Sequence, residues 1–239
     1  MPGLYLFAPD DSTCGCLAPL LHDYDLPLAG ITAQQPAPAQ TTSRAAFLRR
    51  ASVAALLGQP ISAEALRMHL MSGDPLVANV LRRHLFLRLS LMPFLRMSGP
   101  PVQTDGALLL ADAMLIVPVS DDDTVDAPLP TGVWTELHGR CHQAHLRGMR
   151  GYNETPILLR ENTLLPVSMN GQSLTQTASS ETDRLTLHWF QPEEESACTL
   201  ADGTFYRARR NQGRIDVDTN ADSAFHLILH HNGVETLVR

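Results

Sequence analysis

The sequence predicts an α+β protein, with helices in the first part of the chain and strands in the rest. A chain of 239 residues, of which 44% are hydrophobic, is long enough to bury a sizeable apolar core. Apolar residues recur at helical spacing as far as about Leu91. After Ser98 the sequence Gly-Pro-Pro interrupts this pattern, the apolar runs become short, and glycine and threonine recur at turns. The second part of the chain is therefore expected to consist of consecutive strands.

The first 97 residues predict one short strand and three helices. An apolar run at residues 4–8 precedes a turn and then a helix around residues 17–21. A second helix is expected over residues 43–57, because a serine that suits the N-cap begins it and a glycine follows it. A third is expected over residues 75–91, because a proline suits its first turn and Pro93 is expected to end it.

The second part of the chain predicts a series of strands separated by turns. Residues 107–119 predict two adjacent strands or one bent strand, followed by an acidic turn at residues 121–123. Residues 156–168 predict two strands joined by a tight turn at Glu161 and Asn162. Four further apolar segments predict a second small sandwich at the end of the chain: residues 185–190, 203–210, 214–219 and 225–231.

Composition excludes several classes of function. The net charge is -7, whereas a nucleic-acid partner requires a dense positive surface, so none is predicted. All 18 basic residues are arginine, which excludes a Schiff-base lysine and a phosphate-loop lysine, and no cofactor is predicted. The longest apolar run, residues 107–119, contains Asp112 and is shorter than the roughly 20 residues of a membrane helix, so no membrane association is predicted. Four cysteines in a chain without an apolar, positively charged leader fit a reducing compartment, which predicts a cytoplasmic location.

One group of residues has the spacing of a metal site. His138, Cys141, His142 and His145 have spacings of three and four, which would place nitrogen and sulfur ligands on one face of a helix. The surrounding sequence contains turn glycines and no helical apolar stripe. The four side chains are therefore expected on a hairpin or loop, pointing in different directions, and no metal site is predicted.

Two short segments carry residues that could perform chemistry. Asp10 and Asp11 directly follow an apolar strand, where barrel enzymes present catalytic groups, although an N-cap for the following helix is the alternative. Arg67 and His69 offer directional donors that could hold vicinal hydroxyls, although an exposed helix edge explains them equally well. The residues alone leave these alternatives open.

Several strings in fixed order resemble one enzyme family. LLLADAMLIVPV, LPTGVWTELHG and TPILLRENTLLPVS follow one another, with LRRHLFLRLSLMPFL and ALRMH upstream and LADGTFY downstream. The first three are similar, in this order, to GDSLLVAPV, LPxGxWxDxxTG and IPVFVREGSIIPL of glycoside hydrolase family 31. The two upstream strings are similar to that family's xxKYLKLRYRLLPYL and xxRxH, and the downstream string to its YEDDGxSxxY. The chain thus resembles the C-terminal portion of these retaining α-glucosidases and α-xylosidases, in a truncated and divergent form.

The resemblance implies roles for individual residues. APDDSTCGCLAPLL resembles the segment that carries the family's acid/base aspartate, which implies Asp10, with Asp11 as the alternative. ALRMH resembles the substrate-binding string, which implies that Arg67 and His69 contact the sugar. FLRRASVAALL retains Arg50 of the family's LYVRWLQLGAF and has alanine where the family has tryptophan.

The resemblance also implies a domain organisation and an incomplete active site. Residues 1–97 would be a helical remnant of a (β/α)8 barrel, and residues 98–168 and 169–239 would be proximal and distal antiparallel β-sandwiches. The family's nucleophilic aspartate lies in a WxDMNE string that does not occur in these 239 residues. Because retaining chemistry needs two carboxyl groups roughly 5–5.5 Å apart, the chain alone is expected to be inactive towards an α-glucoside or α-xyloside. Another copy or a partner chain would complete the barrel and cover its open edges.

Two functions without catalysis are the alternatives. The chain could be a carbohydrate-binding module that retains only a sugar-contacting surface. It could also be a protein-interaction module whose arginines dock an acidic surface; these are Arg49, Arg50, Arg82, Arg83 and Arg88.

Overall fold

A computed structural model describes residues 43–57, 75–168 and 185–238 of the chain. Within these ranges two helices are followed by strands in several sheets, most of them antiparallel, so the predicted α+β class is confirmed. The predicted strand at residues 4–8 and the helix around residues 17–21 lie outside the described residues. Neither described helix is long and apolar enough to cross a membrane.

The elements follow one another along the chain as follows. The helices are α1 (Arg44–Leu57) and α2 (Pro75–Ser98). The strands are β1 (Val102–Thr104), β2 (Ala107–Leu110), β3 (Met114–Ile116), β4 (Thr124–Pro128), β5 (Trp134–Glu136), β6 (Cys141–His142), β7 (His145–Met149), β8 (Ile157–Arg160), β9 (Thr163–Ser168), β10 (Leu185–Phe190), β11 (Glu195–Thr199), β12 (Phe205–Asn211), β13 (Arg214–Thr219), β14 (Phe225–His231) and β15 (Val234–Leu237).

Helix α1 begins where the sequence predicts. The Ser43 hydroxyl accepts a hydrogen bond from the backbone N–H of Ala46 at 3.2 Å, and the Ser43 carbonyl accepts from the N–H of Phe47 at 2.9 Å. These bonds satisfy N–H groups that the first helical turn leaves without intrahelical partners. The N-cap assigned from the sequence is therefore confirmed.

Helix α2 begins at Pro75 as predicted but does not end before Pro93. It continues through this proline to Ser98, and Gly99 follows it with a φ of 69°. A proline inside a helix costs about 3 kcal/mol, whereas burial of a large apolar side chain contributes roughly 1.5–3 kcal/mol. Phe94 is 3% exposed, and Met97 packs against a buried cluster of the later strands. The prediction that Pro93 ends the helix is wrong because burial beyond the proline offsets its cost.

The described residues divide into two compact units: those up to Arg88 together with Tyr152–Glu154, and those from Leu89 to Gly151 and from Thr155 onwards. In the first unit, α1 packs against the first half of α2 through a buried apolar cluster. Its members are Phe47, Leu48, Ala51, Ala55, Val77, Val80, Leu81 and Leu85. The three-part division at residues 97 and 168 stays a prediction.

The second unit contains a six-stranded antiparallel sheet, which we call the proximal sheet. Its strand order is β1-β2-β3-β8-β5-β6, and a two-stranded sheet of β4 and β7 shares an apolar core with it. The core consists of Ala107, Leu115, Val117, Val119, Val125, Ala127, Leu129, Trp134, Leu146 and Leu158. Of the two alternatives for residues 107–119, the structure has two strands, β2 and β3.

The second unit also contains a four-stranded sheet, which we call the distal sheet, with the order β15-β14-β10-β9. A three-stranded sheet, β11-β12-β13, shares an apolar core with it that includes Leu187, Trp189, Tyr206 and Leu227. Strands β10 and β14 are parallel, so the expectation of antiparallel pairing is wrong for them. Parallel neighbours need a long crossover, and the three strands between them in sequence provide one.

The strands predicted for the end of the chain are found at β10, β12, β13 and β14. The predicted turn at Glu161 and Asn162 is also present, with Asn162 at a φ of 58°. The strands on its two sides nevertheless join different sheets, because β8 pairs with β3 and β5 whereas β9 pairs with β10. The sequence does not predict the strands β1, β4, β5, β11 and β15.

Candidate functional site

Arg50 is the predicted substrate-binding residue that lies in the described part of the chain. It is exposed on α1, and its Nε donates to the backbone carbonyl of Ala46, one turn earlier, at 3.2 Å. The rest of its guanidinium can donate to sugar hydroxyls or to a carboxylate. The neighbouring Ala51 is 3% exposed and packs in the first unit's apolar cluster. At this position the chain therefore offers no aromatic surface for a sugar.

The other predicted site residues lie outside the described residues. They are Asp10, its alternative Asp11, and the pair Arg67 and His69. Their roles stay predictions that rest on the sequence.

Three of the five arginines of the protein-interaction alternative bind within their own unit. Arg82 donates to the Asn79 side chain at 3.0 Å, Arg83 to the carbonyl of Asn153, and Arg88 to the carbonyl of Leu56 at 2.9 Å. Arg83 and Arg88 thus join segments of the first unit, whereas Arg82 bonds within α2. They are correspondingly less available to an acidic partner surface.

A charged cluster encloses Glu136 at the end of β5. Its Oε1 atom lies 2.6 Å from Nε2 of His142 on β6 and accepts a hydrogen bond from Nη2 of Arg150, after β7, at 2.8 Å. The three side chains are only 12%, 14% and 15% exposed, respectively. Charge-assisted hydrogen bonds in such an enclosed place are strong, so this carboxylate joins three segments of the second unit.

The residues with metal-site spacing are not on a helix. His138 lies in a turn, and the other three lie on the short strands β6 and β7, as expected from the flanking sequence. Their side chains have separate partners: His142 lies beside Glu136, whereas His145 lies 3.3 Å from Asp126. In the described ranges no group of three or more His, Cys, Asp or Glu residues is arranged to hold a metal ion.

Two histidines form a pair in the distal sheet, with His230 buried and His188 half-buried. Nδ1 of His188 on β10 lies 2.7 Å from Nε2 of His230 on β14. Phe190 stacks on the His230 ring, with 4.3 Å between the two ring centroids. His230 is 4% exposed, and its Nδ1 lies 3.6 Å from Glu235 of β15. Two neutral imidazoles can form this bond because one ring nitrogen donates and the other accepts.

Burial governs the protonation of this pair. Burial chiefly, with a smaller effect from the charge of His230, lowers the pKa of His188 to about 4. Burial also lowers the pKa of His230, and Glu235 opposes that shift. The sequence analysis missed the pair, although both segments, LTLHWF and FHLILHH, place a histidine within an apolar strand.

Comparisons with known proteins give a clear result for structure only. No protein-family model matches the sequence, and no curated protein matches it. A cycloalternan-forming enzyme from Listeria monocytogenes matches with a TM-score of 0.63 and 16% identity, over 84% of this chain and 23% of that chain. A glycoside hydrolase family 31 dextranase from Flavobacterium johnsoniae matches with a TM-score of 0.60 and 16% identity, over 78% of this chain and 29% of that chain. An α-1,4-glucan lyase from Gracilariopsis lemaneiformis matches with a TM-score of 0.57 and 14% identity, over 86% of this chain and 29% of that chain.

These likenesses define the class of fold. The described structure has the fold of a portion of glycoside hydrolase family 31 enzymes, which confirms the resemblance found in the sequence at the level of the fold. The chain spans only 23% to 29% of the length of the enzymes named above. That short span is consistent with a C-terminal portion.

Proposed function

We propose that this chain is a carbohydrate-active protein of the glycoside hydrolase family 31 type and that it is catalytically incomplete by itself. The observation that carries the proposal is the fold likeness over 84% of the chain to a cycloalternan-forming enzyme. The order of the family-like strings along the sequence supports it independently. In this proposal residues 1–97 are a barrel remnant, and residues 98–168 and 169–239 are the proximal and distal β-sandwiches. The two pairs of sheets, each with a shared apolar core, support the sandwiches.

The proposed site combines one acid with three donors. Asp10, with Asp11 as the alternative, would protonate the leaving oxygen, and Arg50, Arg67 and His69 would hold the hydroxyls of an α-glucoside or α-xyloside. Guanidinium and imidazole groups suit this task because they donate in fixed directions. The exposed guanidinium of Arg50 supports the proposal, as does the glucose complex of the Flavobacterium dextranase.

The missing partner is a carboxylate nucleophile. The sequence has no WxDMNE string, and in the described ranges no aspartate or glutamate is fully buried. Glu136, one of the enclosed acids, is engaged by His142 and Arg150. Loss of the nucleophile costs about six orders of magnitude in a well-studied hydrolase, so we expect no measurable turnover by this chain alone. A second copy or a partner chain would supply the attacking oxygen.

Hydrolysis of 4-nitrophenyl α-glucoside and α-xyloside tests the catalytic part of the proposal. We expect the purified chain to release no 4-nitrophenol above the uncatalysed rate. Release that disappears in Asp10→Asn and persists in Asp11→Asn would show a complete active site and overturn the proposed inactivity. Release that survives both substitutions would in addition refute the assignment of the acid.

Calorimetry with glucose, xylose and maltose tests sugar binding, which also covers the alternative of a binding module without catalysis. We expect binding heat that is lost in Arg67→Ala and reduced in Arg50→Ala. Arg210→Ala is the matched control, because Arg210 is an exposed arginine on β12, outside the proposed site. Absence of heat with all three sugars contradicts sugar binding.

We also propose a cytoplasmic location. Cys141 and Cys198 are both free thiols. Burial raises the pKa of Cys198 to about 12, which keeps it protonated and unreactive. Free thiols are typical of proteins in a reducing compartment.

A further inference from the structure

We propose that Asn162 and Gln191 form a polar interlock that makes two apolar cores of the second unit unfold as one cooperative unit. The proximal core is the cluster that the proximal sheet shares with β4 and β7, and the distal core is the one that the distal sheet shares with β11, β12 and β13. Among the described residues these two clusters have no member in common. Separate cores commonly unfold in separate steps, so a single transition requires contacts that join them. The inference does not depend on the proposed sugar site.

The connection between β8 and β9 is too short to act as a flexible tether. Strand β8 of the proximal sheet ends at Arg160 and β9 of the distal sheet begins at Thr163, so only Glu161 and Asn162 lie between them. The N–H of Glu161 donates to the carbonyl of Val133 at 2.7 Å, which holds this turn on the proximal side. Parts of a chain that move independently are normally joined by exposed, flexible linkers that few contacts cross. The turn at Asn162 is of the opposite kind.

Asn162 binds both sheets of the distal core. Its Oδ1 accepts from the indole Nε1 of Trp189 on β10 at 2.9 Å, and its Nδ2 donates to the carbonyl of Glu195 on β11 at 2.8 Å. Its backbone carbonyl also accepts from the hydroxyl of Ser196 at 2.6 Å. Trp189 is fully buried, so loss of the amide oxygen would leave its indole N–H unpaired inside the protein. The distal core therefore depends on a residue that the proximal sheet places.

Gln191, which follows β10, makes the reverse connection. Its Nε2 donates to Sγ of Cys141 on β6 at 3.1 Å and to Oγ1 of Thr135 on β5 at 3.4 Å. Its backbone N–H donates to the carbonyl of His230 on β14 at 2.8 Å, and its own carbonyl accepts from the N–H of Asn162 at 3.2 Å. The two residues thus bind each other, and each joins the proximal strands to the distal ones. Unfolding of either core would break bonds that stabilise the other, which is the requirement for a cooperative transition.

The two tryptophans of the chain report on the two cores separately. Trp134 lies in the proximal core and Trp189 in the distal core, and both are fully buried. Incorporation of 5-fluorotryptophan gives each core its own fluorine NMR signal, and Trp134→Phe assigns the two signals. In a urea titration of the wild type we expect both native signals to disappear with the same midpoint. Separate midpoints in the wild type would overturn the proposal.

A weakened distal core tests whether unfolding is transmitted to the proximal core. Leu227→Ala removes a fully buried side chain of the distal core that takes no part in the interlock. It should lower the urea midpoints of both tryptophan signals by the same amount. Val217→Ala, a milder change against the same core, replaces it if Leu227→Ala does not fold. A lower midpoint for Trp189 alone would show two independent cores and refute the proposal.

Removal of either side chain tests whether the interlock carries the coupling. Asn162 and Gln191 have φ values of 58° and 42°, so glycine keeps the backbone conformation and removes only the side-chain bonds. In Asn162→Gly and in Gln191→Gly the midpoints of the two tryptophan signals should separate. Gln212→Gly is the matched control, because Gln212 is an exposed turn residue with a φ of 48° between β12 and β13, and its two midpoints should coincide. Coincident midpoints in either interlock variant would show that its side chain carries no coupling and contradict the proposal.

Discussion

The pair of His188 and His230 predicts that the free energy of unfolding falls more on acidification than it would if both histidines were exposed to water. His188 and His230 share one hydrogen bond, and the His230 ring is buried whereas that of His188 is half-buried. Protonation of both rings would remove the acceptor of that bond and place two positive charges together. Glu235 on β15 is the acidic group that faces the pair, and His226 on β14 lies on the same face of the sheet. Strand β9 contributes no charged residue beside them.

The magnitude follows from the shift of the His188 pKa. In the unfolded chain His188 takes up a proton near its ordinary value of 6.5, whereas in the folded protein it does so at about 4. The unfolded state therefore binds more protons as the pH falls, and the folded state loses stability between about pH 6.5 and pH 4. Above pH 6.5 this contribution is fully present. At pH 5 the expected loss from His188 alone is about 2 kcal/mol relative to pH 8, by proton linkage.

Urea unfolding at pH 8, 6 and 5, followed by tryptophan fluorescence, measures this loss. Trp189 reports on the distal sheet because it is fully buried in the core beneath β10. His188→Gln keeps a hydrogen-bonding side chain but cannot titrate, so its stability should fall by about 2 kcal/mol less than that of the wild type between pH 8 and pH 5. His231→Gln, at an exposed position on β14, is the matched control and should retain the wild-type dependence.

Two results would refute this reasoning. One is an equal loss of stability on acidification in the wild type and in His188→Gln. The other is an NMR titration in which the His188 ring takes up its proton near pH 6.5 in the folded protein. Either would show that the ring is open to water or that charge on the pair is compensated.

Three further predictions concern stability. Ser52→Ala should raise the free energy of unfolding by about 1 kcal/mol, measured by urea titration, because the fully buried Ser52 hydroxyl has no hydrogen-bond partner among the described residues. A destabilised variant would contradict this. Gly139→Ala should destabilise the protein more than Gly203→Ala in thermal unfolding. Both glycines have a φ of 87°, but only at Gly139 would a Cβ lie 3.2 Å from the backbone of Gly233. Equal losses of stability would show that this contact is unimportant. Glu136→Gln should cost about 2–3 kcal/mol in urea unfolding, because an imidazole and a guanidinium lose their charged acceptor; a neutral effect would show that water replaces the carboxylate.

The sequence predicted those features of the fold that depend on neighbouring residues. Ser43 caps α1 because its hydroxyl reaches an N–H three residues away, and this bond is specified within one turn. The same holds for the turn at Glu161 and Asn162, where a polar pair separates two apolar runs. Pro93 misled the prediction because the local cost of a proline is offset by burial of Phe94 and by packing of Met97 against the later strands, which no local pattern specifies.

The candidate site was predictable only as a set of residue types and strings. Arg50 could be assigned from its string, and its exposure on α1 leaves it able to contact a ligand. The surroundings of Glu136 could not be found in this way, because Arg150 is 14 residues from it in sequence and reaches it only through the pairing of strands. His142 was considered as a metal ligand on spacing alone, although its actual neighbour is that carboxylate.

By itself the sequence determined the α+β class, most of the longer helices and strands, and the family that they resemble, because periodicity, caps and turns act over a few residues. The tertiary structure alone decided that β8 and β9 enter different sheets and that β10 lies parallel to β14. It also decided that two histidines 42 residues apart share a hydrogen bond. Such pairings depend on which apolar faces are buried together across long separations in the chain, and no local pattern specifies that choice.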